Sequence, residues 1–87
     1  MSVYLVDRFL PGMTADQWVR AERAAMVVSE RYRASGKPVR FLRCIFVPEE
    51  AHCISLYEAR SAKIVQEVNE AAQLPFTRII EAMDLAP

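Results

Sequence analysis

Proline and glycine residues divide this chain into short segments and limit its fold more than any other feature. The pair Pro11-Gly12 ends the first apolar run, Gly36 ends a long amphipathic run, and Pro75 ends a shorter one. Glycine readily adopts the left-handed conformation that terminates a helix, and proline cannot continue one. The chain must therefore fold from short strands and helices, and its 87 residues predict one domain, residues 1–87.

The first half of the chain predicts a strand, a helix and a second strand. Ser2–Phe9 is rich in β-branched and aromatic residues, which favours a strand. Thr14 and Gln17 have the spacing of a capping box, so a helix is predicted over Ala15–Ser35. Val39–Val47 is apolar at both alternating sets of positions, which is typical of a strand covered on both faces.

Within the first helix, apolar residues recur every three or four positions, which predicts the face that packs on the core. This stripe consists of Trp18, Ala21, Ala25, Val28 and Tyr32. Charged residues lie off the stripe, and we expect them, Glu22 among them, to lie outside the core.

The second half repeats the pattern of strand, helix and strand. A turn over Pro48–Ala51 leads into a third strand, Ala51–Glu58, which pairs with the second strand as a hairpin. Ser61 caps a second helix that runs to about Gln73, and Arg78–Met83 predicts a fourth strand. The fold class is therefore α+β, a ferredoxin-like βαββαβ sandwich with a four-stranded antiparallel sheet and two helices on one face.

The other sheet face needs a cover. The second strand is apolar on both sides, and hydrophobic residues make up 53% of the chain. In a domain this small, apolar surface that cannot be hidden within one chain is commonly hidden against a second copy. We expect a homodimer of the dimeric α+β barrel type, with any cavity lying between sheet and partner.

Composition excludes several partners. Eleven Lys and Arg residues balance eleven Asp and Glu residues, so the chain lacks the basic field that nucleic acid requires. No apolar run is long enough to span a membrane, and the N-terminus lacks the pattern of a signal peptide. Two cysteines are too few for a disulfide scaffold, so we expect a cytoplasmic protein.

The two cysteines form the most informative candidate pair. A hairpin turn of two or four residues would place Cys44 and Cys53 on one sheet face with Leu42, Phe46, Ser55 and Tyr57. They could be small buried hydrophobes, thiols lining a pocket, a redox couple, or two soft metal ligands completed by a partner subunit. His52 would point the other way, so adjacent His52 and Cys53 cannot chelate one ion.

Two further residues on the strands are candidates. Arg43 lies in an apolar strand and requires a carboxylate partner, for which Asp7, Glu58 and Glu81 are available, or else binds an anion at the mouth of a cavity. Tyr57 is either a core aromatic or a hydroxyl donor to a ligand.

Four stretches carry a resemblance to a known family. YLVDRFLPGMTADQ, FLRCIF, SLYEARS and AAQLPFTRIIEAM together resemble a group of small bacterial domains, largely of unknown function, that includes a nickel-binding protein. The resemblance implies a dimeric ferredoxin-like domain that binds a divalent metal such as nickel. Relatives often have a histidine in the second helix and a glycine before Leu-Pro, where this chain has Val68 and Gln73. A dimer could therefore offer a metal only two His52 rings.

Two functions remain open. In the first, the dimer binds a small-molecule ligand or a divalent metal between the open sheet face and its partner. The ligand-binding residues would be Arg43, Cys44, Cys53, Tyr57 and Glu81, with His52 as a metal ligand. In the second, the chain is a cofactor-independent isomerase, cyclase or monooxygenase that acts in the same cavity, with Glu81 or Asp7 as the proton-transfer group.

Overall fold

A computed structural model describes residues 1–85 and has the predicted order of elements. The elements are β1 Ser2–Phe9, α1 Ala15–Ala34, β2 Val39–Val47, a short 3₁₀ turn Pro48–Glu50, β3 His52–Ala59, α2 Ala62–Ala71 and β4 Arg78–Ala82. The predicted βαββαβ order is confirmed, and the predicted ends lie within two residues of the observed ones.

The four strands form one antiparallel sheet in the order β2-β3-β1-β4. Both helices cover the same face of this sheet. Tyr4 of β1, Trp18 of α1 and Val65 of α2 belong to a single buried cluster. The opposite face has no covering element within residues 1–85, so it is called the open face below.

Both helices begin at the predicted caps. The Thr14 hydroxyl accepts a hydrogen bond from the Gln17 amide at 3.2 Å, and the Gln17 side chain accepts one from the Thr14 amide at 2.9 Å. The Ser61 hydroxyl accepts from the Ile64 amide at 3.3 Å. Within residues 1–85, neither helix is long and apolar enough to span a membrane.

The hairpin between β2 and β3 decides which side chains share a face. Val47 pairs with His52, which leaves a four-residue connection, and alternate β3 residues Cys53, Ser55 and Tyr57 are fully buried under the helices. A bulge at Leu42 shifts the register of β2, so Phe41 stands opposite Tyr57. The prediction that placed Leu42 beside Cys44 did not allow for this bulge.

The open face has an apolar centre. The sheet register places Val3, Leu5, Ile45, Ile54, Leu56 and Ile80 there. Ile45 and Ile80 expose 54% and 46% of their surface. These two residues lie on the edge strands β2 and β4, so the exposed apolar surface extends across the full width of the sheet. A contiguous apolar patch of this kind is typical of an interaction surface.

Candidate functional site

A group of six polar side chains lies between the sheet and the helices, and we call it the buried polar cluster. It consists of Arg8, Glu22, Cys44, Cys53, Ser55 and Asn69. Cys44 is half-buried, and the other five are buried. Such groups are costly to bury without partners, so their contacts determine what the cluster can do.

Arg8 is the centre of the cluster and is fully buried. Its Nε donates to Ser55 Oγ at 3.3 Å, and its two terminal nitrogens donate to the Pro75 carbonyl at 3.0 Å and to Asn69 Oδ1 at 2.6 Å. Its guanidinium carbon also lies 4.9 Å from the ring centroid of Trp18. This side chain therefore joins β1 to β3, to α1, to α2 and to the segment that follows α2.

Glu22 brings a carboxylate to the cluster from α1. The residue is 5% exposed, and its Oε1 accepts a hydrogen bond from Ser55 Oγ at 3.0 Å. Burial raises the pKa of Glu22, while the Ser55 hydrogen bond and the Arg8 charge oppose that shift. The prediction that Glu22 lies outside the core was wrong, because Ser55 and Arg8 supply polar partners that the helix sequence does not reveal.

The two thiols lie beside this carboxylate. One oxygen of Glu22 and the sulfur atoms of Cys44 and Cys53 are all within 4.8 Å of one another. The Trp18 indole nitrogen donates to Cys44 Sγ at 3.3 Å. A hydrogen bond from Cys53 lowers the pKa of Cys44, and the same interaction raises the pKa of Cys53. Cys44 is therefore the thiol that ionises first.

Tyr57 is buried next to the cluster. Its ring packs edge-on against Phe41 with centroids 5.5 Å apart, and its hydroxyl has no hydrogen-bond partner among the described residues. Burial raises the pKa of Tyr57 to about 12. The hydroxyl is thus protonated and makes no hydrogen bond to the described residues.

The structure divides the predicted ligand set. Cys44, Cys53 and Tyr57 lie under the helices, whereas Arg43 is exposed and stands opposite Leu56 on the open face. Glu81 is exposed on β4 opposite Tyr4. These five residues therefore do not line one cavity between sheet and partner.

Arg43 does not need the buried carboxylate partner that its apolar strand suggested, because it is exposed. Two of the predicted partners are engaged elsewhere: Glu58 pairs with Arg40 at 3.4 Å, and Asp7 pairs with Arg78 at 3.2 Å. Arg43 instead borders an open-face cavity of about 200 Å³.

His52 lies on the open face, away from Cys53. Its Nε2 contacts Asp7 Oδ1, and its Nδ1 is 4.0 Å from Glu50. The hydrogen bond from His52 is the largest cause that lowers the pKa of Asp7, and Arg78 adds to it. The sequence correctly separated His52 from Cys53, but it did not indicate this contact with Asp7.

The fold and the cluster define a small ferredoxin-like α+β domain with a group of candidate metal ligands in its core. The chain belongs to the nickel responsive protein SCO4226-like family, whose model it matches over residues 4–82. The crystal structure of SCO4226 from Streptomyces coelicolor A3(2) superimposes with a TM-score of 0.82 at 27% identity. That match covers 98% of this chain and 100% of the other. No curated protein matches.

Proposed function

We propose that this chain binds a divalent transition-metal ion through Glu22, Cys44 and Cys53, and that it does so as a homodimer. The approach of the three donor atoms to within 4.8 Å of one another carries the proposal. In a tetrahedral site with metal–sulfur bonds of about 2.3 Å, neighbouring ligand atoms stand about 3.8 Å apart. The three side chains therefore need only small movements to hold an ion.

The chemistry of the donors fits a borderline or soft ion. Thiolates favour such metals, whereas magnesium and calcium prefer oxygen ligands. Among residues 1–85, this is the one group of three His, Cys, Asp or Glu donors close enough to share an ion. The description of the family as nickel responsive makes Ni²⁺ the first ion to test. A cytoplasmic location would keep both thiols reduced and available.

Neighbouring residues support the three donors in different ways. The Trp18 N–H bond to Cys44 stabilises a thiolate there. Ser55 holds one oxygen of Glu22, and Arg8 in turn holds Ser55. A bound ion would keep both thiols ionised, and the Arg8 charge would offset part of the negative charge that this leaves in the core.

Titration of the metal-free full chain with Ni²⁺ tests the proposal. We expect one ion per chain by native mass spectrometry, with thiolate-to-nickel charge-transfer absorption. Cys44→Ser and Glu22→Gln should each weaken binding by more than about 100-fold, since even residues outside the ligand shell change affinity by 10- to 100-fold. Glu30→Gln is the matched control because Glu30 is exposed on the same helix.

Two results would contradict this site. In the first, the wild type takes up no ion and shows no charge-transfer band. In the second, His52→Asn abolishes binding while Cys44→Ser does not, which would move the metal to the open face.

The homodimer proposal rests on the layout of the open face. Its apolar centre lies between two charged ends, and the charges at each end are paired within the subunit. Arg40 pairs with Glu58 at one end, and Asp7 pairs with Arg78 and His52 at the other. A second copy of the same face would therefore meet an apolar centre and two paired ends, with Arg43 as the exposed charge beside the open-face cavity.

A small organic ligand between the open face and the partner is a second candidate. The cavity of about 200 Å³ on that face supports it, with Arg43 and Asp84 among its polar residues and Ile45, Leu56 and Met83 among its apolar ones. Arg43 would bind a carboxylate or phenolate group of such a ligand. An organic mass that is retained by the native wild-type protein and lost in Arg43→Gln would support this candidate, and its retention in the variant would exclude Arg43 as the contact.

A further inference from the structure

Cys44 and Cys53 are diagonal neighbours on adjacent strands. Cys44 stands opposite Ser55, and Cys53 stands opposite Phe46. Both cysteines are free, and their sulfur atoms are within 4.8 Å of each other. A disulfide has a sulfur–sulfur bond of about 2.05 Å, so at most about 2.8 Å must close between the two sulfurs. The bulge at Leu42, two residues before Cys44, interrupts the hydrogen bonds between β2 and β3. It therefore lies where the backbone of β2 would have to move for the two sulfurs to meet.

The two thiols differ in access to solvent. Cys44 is half-buried, whereas Cys53 is fully buried. We therefore expect a small dissolved oxidant to react with Cys44 before Cys53, whose sulfur lies within 4.8 Å of the Cys44 sulfur. An accessible cysteine next to a resolving cysteine is the arrangement of reversible thiol oxidation sites.

We propose that Cys44 and Cys53 are a site of reversible oxidation, at which a peroxide converts the two thiols into an intramolecular disulfide. In the first step the Cys44 sulfur takes one oxygen of hydrogen peroxide, the O–O bond breaks, and the products are a sulfenic acid and water. In the second step the Cys53 sulfur displaces the sulfenic hydroxyl group, which leaves as a second water. Two thiols are oxidised by two electrons and one peroxide is reduced.

The disulfide has a consequence for the metal site, and this part rests on the proposed function. Two of the three donor atoms are the same sulfurs, so the oxidised chain retains only the Glu22 carboxylate. Oxidation would release the ion, and a bound ion would protect the thiols. Formation of the disulfide in the metal-free chain does not depend on this coupling.

The test treats the metal-free full chain with stoichiometric hydrogen peroxide and measures intact mass without reductant. The wild type should lose two hydrogen atoms, remain a single chain on a non-reducing gel, stop reacting with N-ethylmaleimide and recover on addition of dithiothreitol. In Cys53→Ser, dimedone should trap a sulfenic acid on Cys44. In Cys44→Ser, oxidation of the buried Cys53 should be slower by at least about tenfold.

Three outcomes would overturn the proposal: gain of oxygen atoms in the wild type without loss of hydrogen, a disulfide between two chains, or no reaction. The proposed metal function fails separately, when the reduced wild type does not bind Ni²⁺ although the disulfide forms. If both hold, peroxide should abolish the charge-transfer band of the nickel-loaded chain, and dithiothreitol with fresh Ni²⁺ should restore it.

Discussion

Arg8 on β1 and Arg43 on β2 belong to one sheet, with β3 between their strands, but they lie in opposite environments. Arg8 is fully buried with three hydrogen-bond acceptors and the Trp18 ring around its guanidinium. Arg43 is exposed on the open face. Removing a buried charge leaves its partner uncompensated, whereas removing an exposed one leaves its neighbours hydrated.

Arg8→Met should therefore destabilise the chain strongly, by roughly 3–5 kcal/mol, because Glu22 would remain buried without a nearby cation. The matched variant Arg43→Met should change the free energy of unfolding by no more than about 0.5 kcal/mol. Urea unfolding followed by circular dichroism measures both values.

The double variant Arg8→Met with Glu22→Leu provides the check on that explanation. Since both charges are absent, it should be more stable than Arg8→Met alone. If Arg8→Met and the double variant lose the same free energy of unfolding, Arg8 contributes through packing and not through its charge.

The sequence predicted that the cysteine pair shares a face with Ser55, but it did not predict that Arg8 and Glu22 lie beside them. Cys44 and Cys53 share a face because strand alternation and a four-residue turn require it. On β1, every second residue from Tyr4 to Arg8 points to the same face, and Tyr4 and Val6 are buried there. This alternation was the sequence signal that the Arg8 side chain is also buried. A charged residue on an alternating strand is ordinarily assigned to solvent, and its acceptors, Ser55 and Asn69, lie 47 and 61 residues away.

At the scale of elements, Asp7 connects three strands. It lies on β1, contacts His52 of β3 and pairs with Arg78 of β4 at 3.2 Å. The His52 hydrogen bond and the Arg78 charge lower the pKa of Asp7 below its ordinary value of 3.8. An ionised Asp7 therefore contributes to holding the edge strand β4 onto the sheet.

This shift predicts a dependence of stability on acid. A carboxyl group whose pKa is lower in the folded state contributes stability above its ordinary pKa and loses it as the pH falls through the folded value. The wild type should lose stability between about pH 5 and about pH 2, and Asp7→Asn should lose less over the same range. Urea midpoints at each pH measure the difference, with Glu49→Gln, an exposed carboxylate, as control. If the urea midpoints of the wild type and Asp7→Asn fall in parallel as the pH is lowered, Asp7 is not the group responsible for the loss of stability.

Element order was predictable because local signals agreed. Capping residues determine the starts of both helices, and Gly36 in the left-handed conformation follows the end of α1. The end of α2 at Ala71 is followed instead by Gln73 in that conformation, before Pro75. The bulge at Leu42 was not predictable, because it depends on pairing between β2 and β3 and not on residues of β2 alone. The same limit applies to the open-face contact between His52 and Asp7.

At the scale of the whole molecule, the two faces of the sheet carry different groups of residues. The helix-covered face holds the thiols and the carboxylate, so each subunit has its own set of proposed metal ligands. The open face holds the exposed apolar residues Ile45 and Ile80. Metal binding and assembly should therefore be separable by mutation, since no proposed ligand lies on the open face.

A matched pair of variants tests this separation. Ile45 and Val19 are both 54% exposed, but Ile45 lies on the open face and Val19 on α1. Ile45→Glu should give a species near 9.9 kDa by sedimentation at micromolar concentration, because a charge within a covered apolar face is unpaired and desolvated. Val19→Glu should sediment as the wild-type dimer, and both variants should still bind Ni²⁺.

A wild type that sediments only near 9.9 kDa would exclude the dimer. Loss of Ni²⁺ binding in Ile45→Glu alone would show that the metal site depends on the partner subunit.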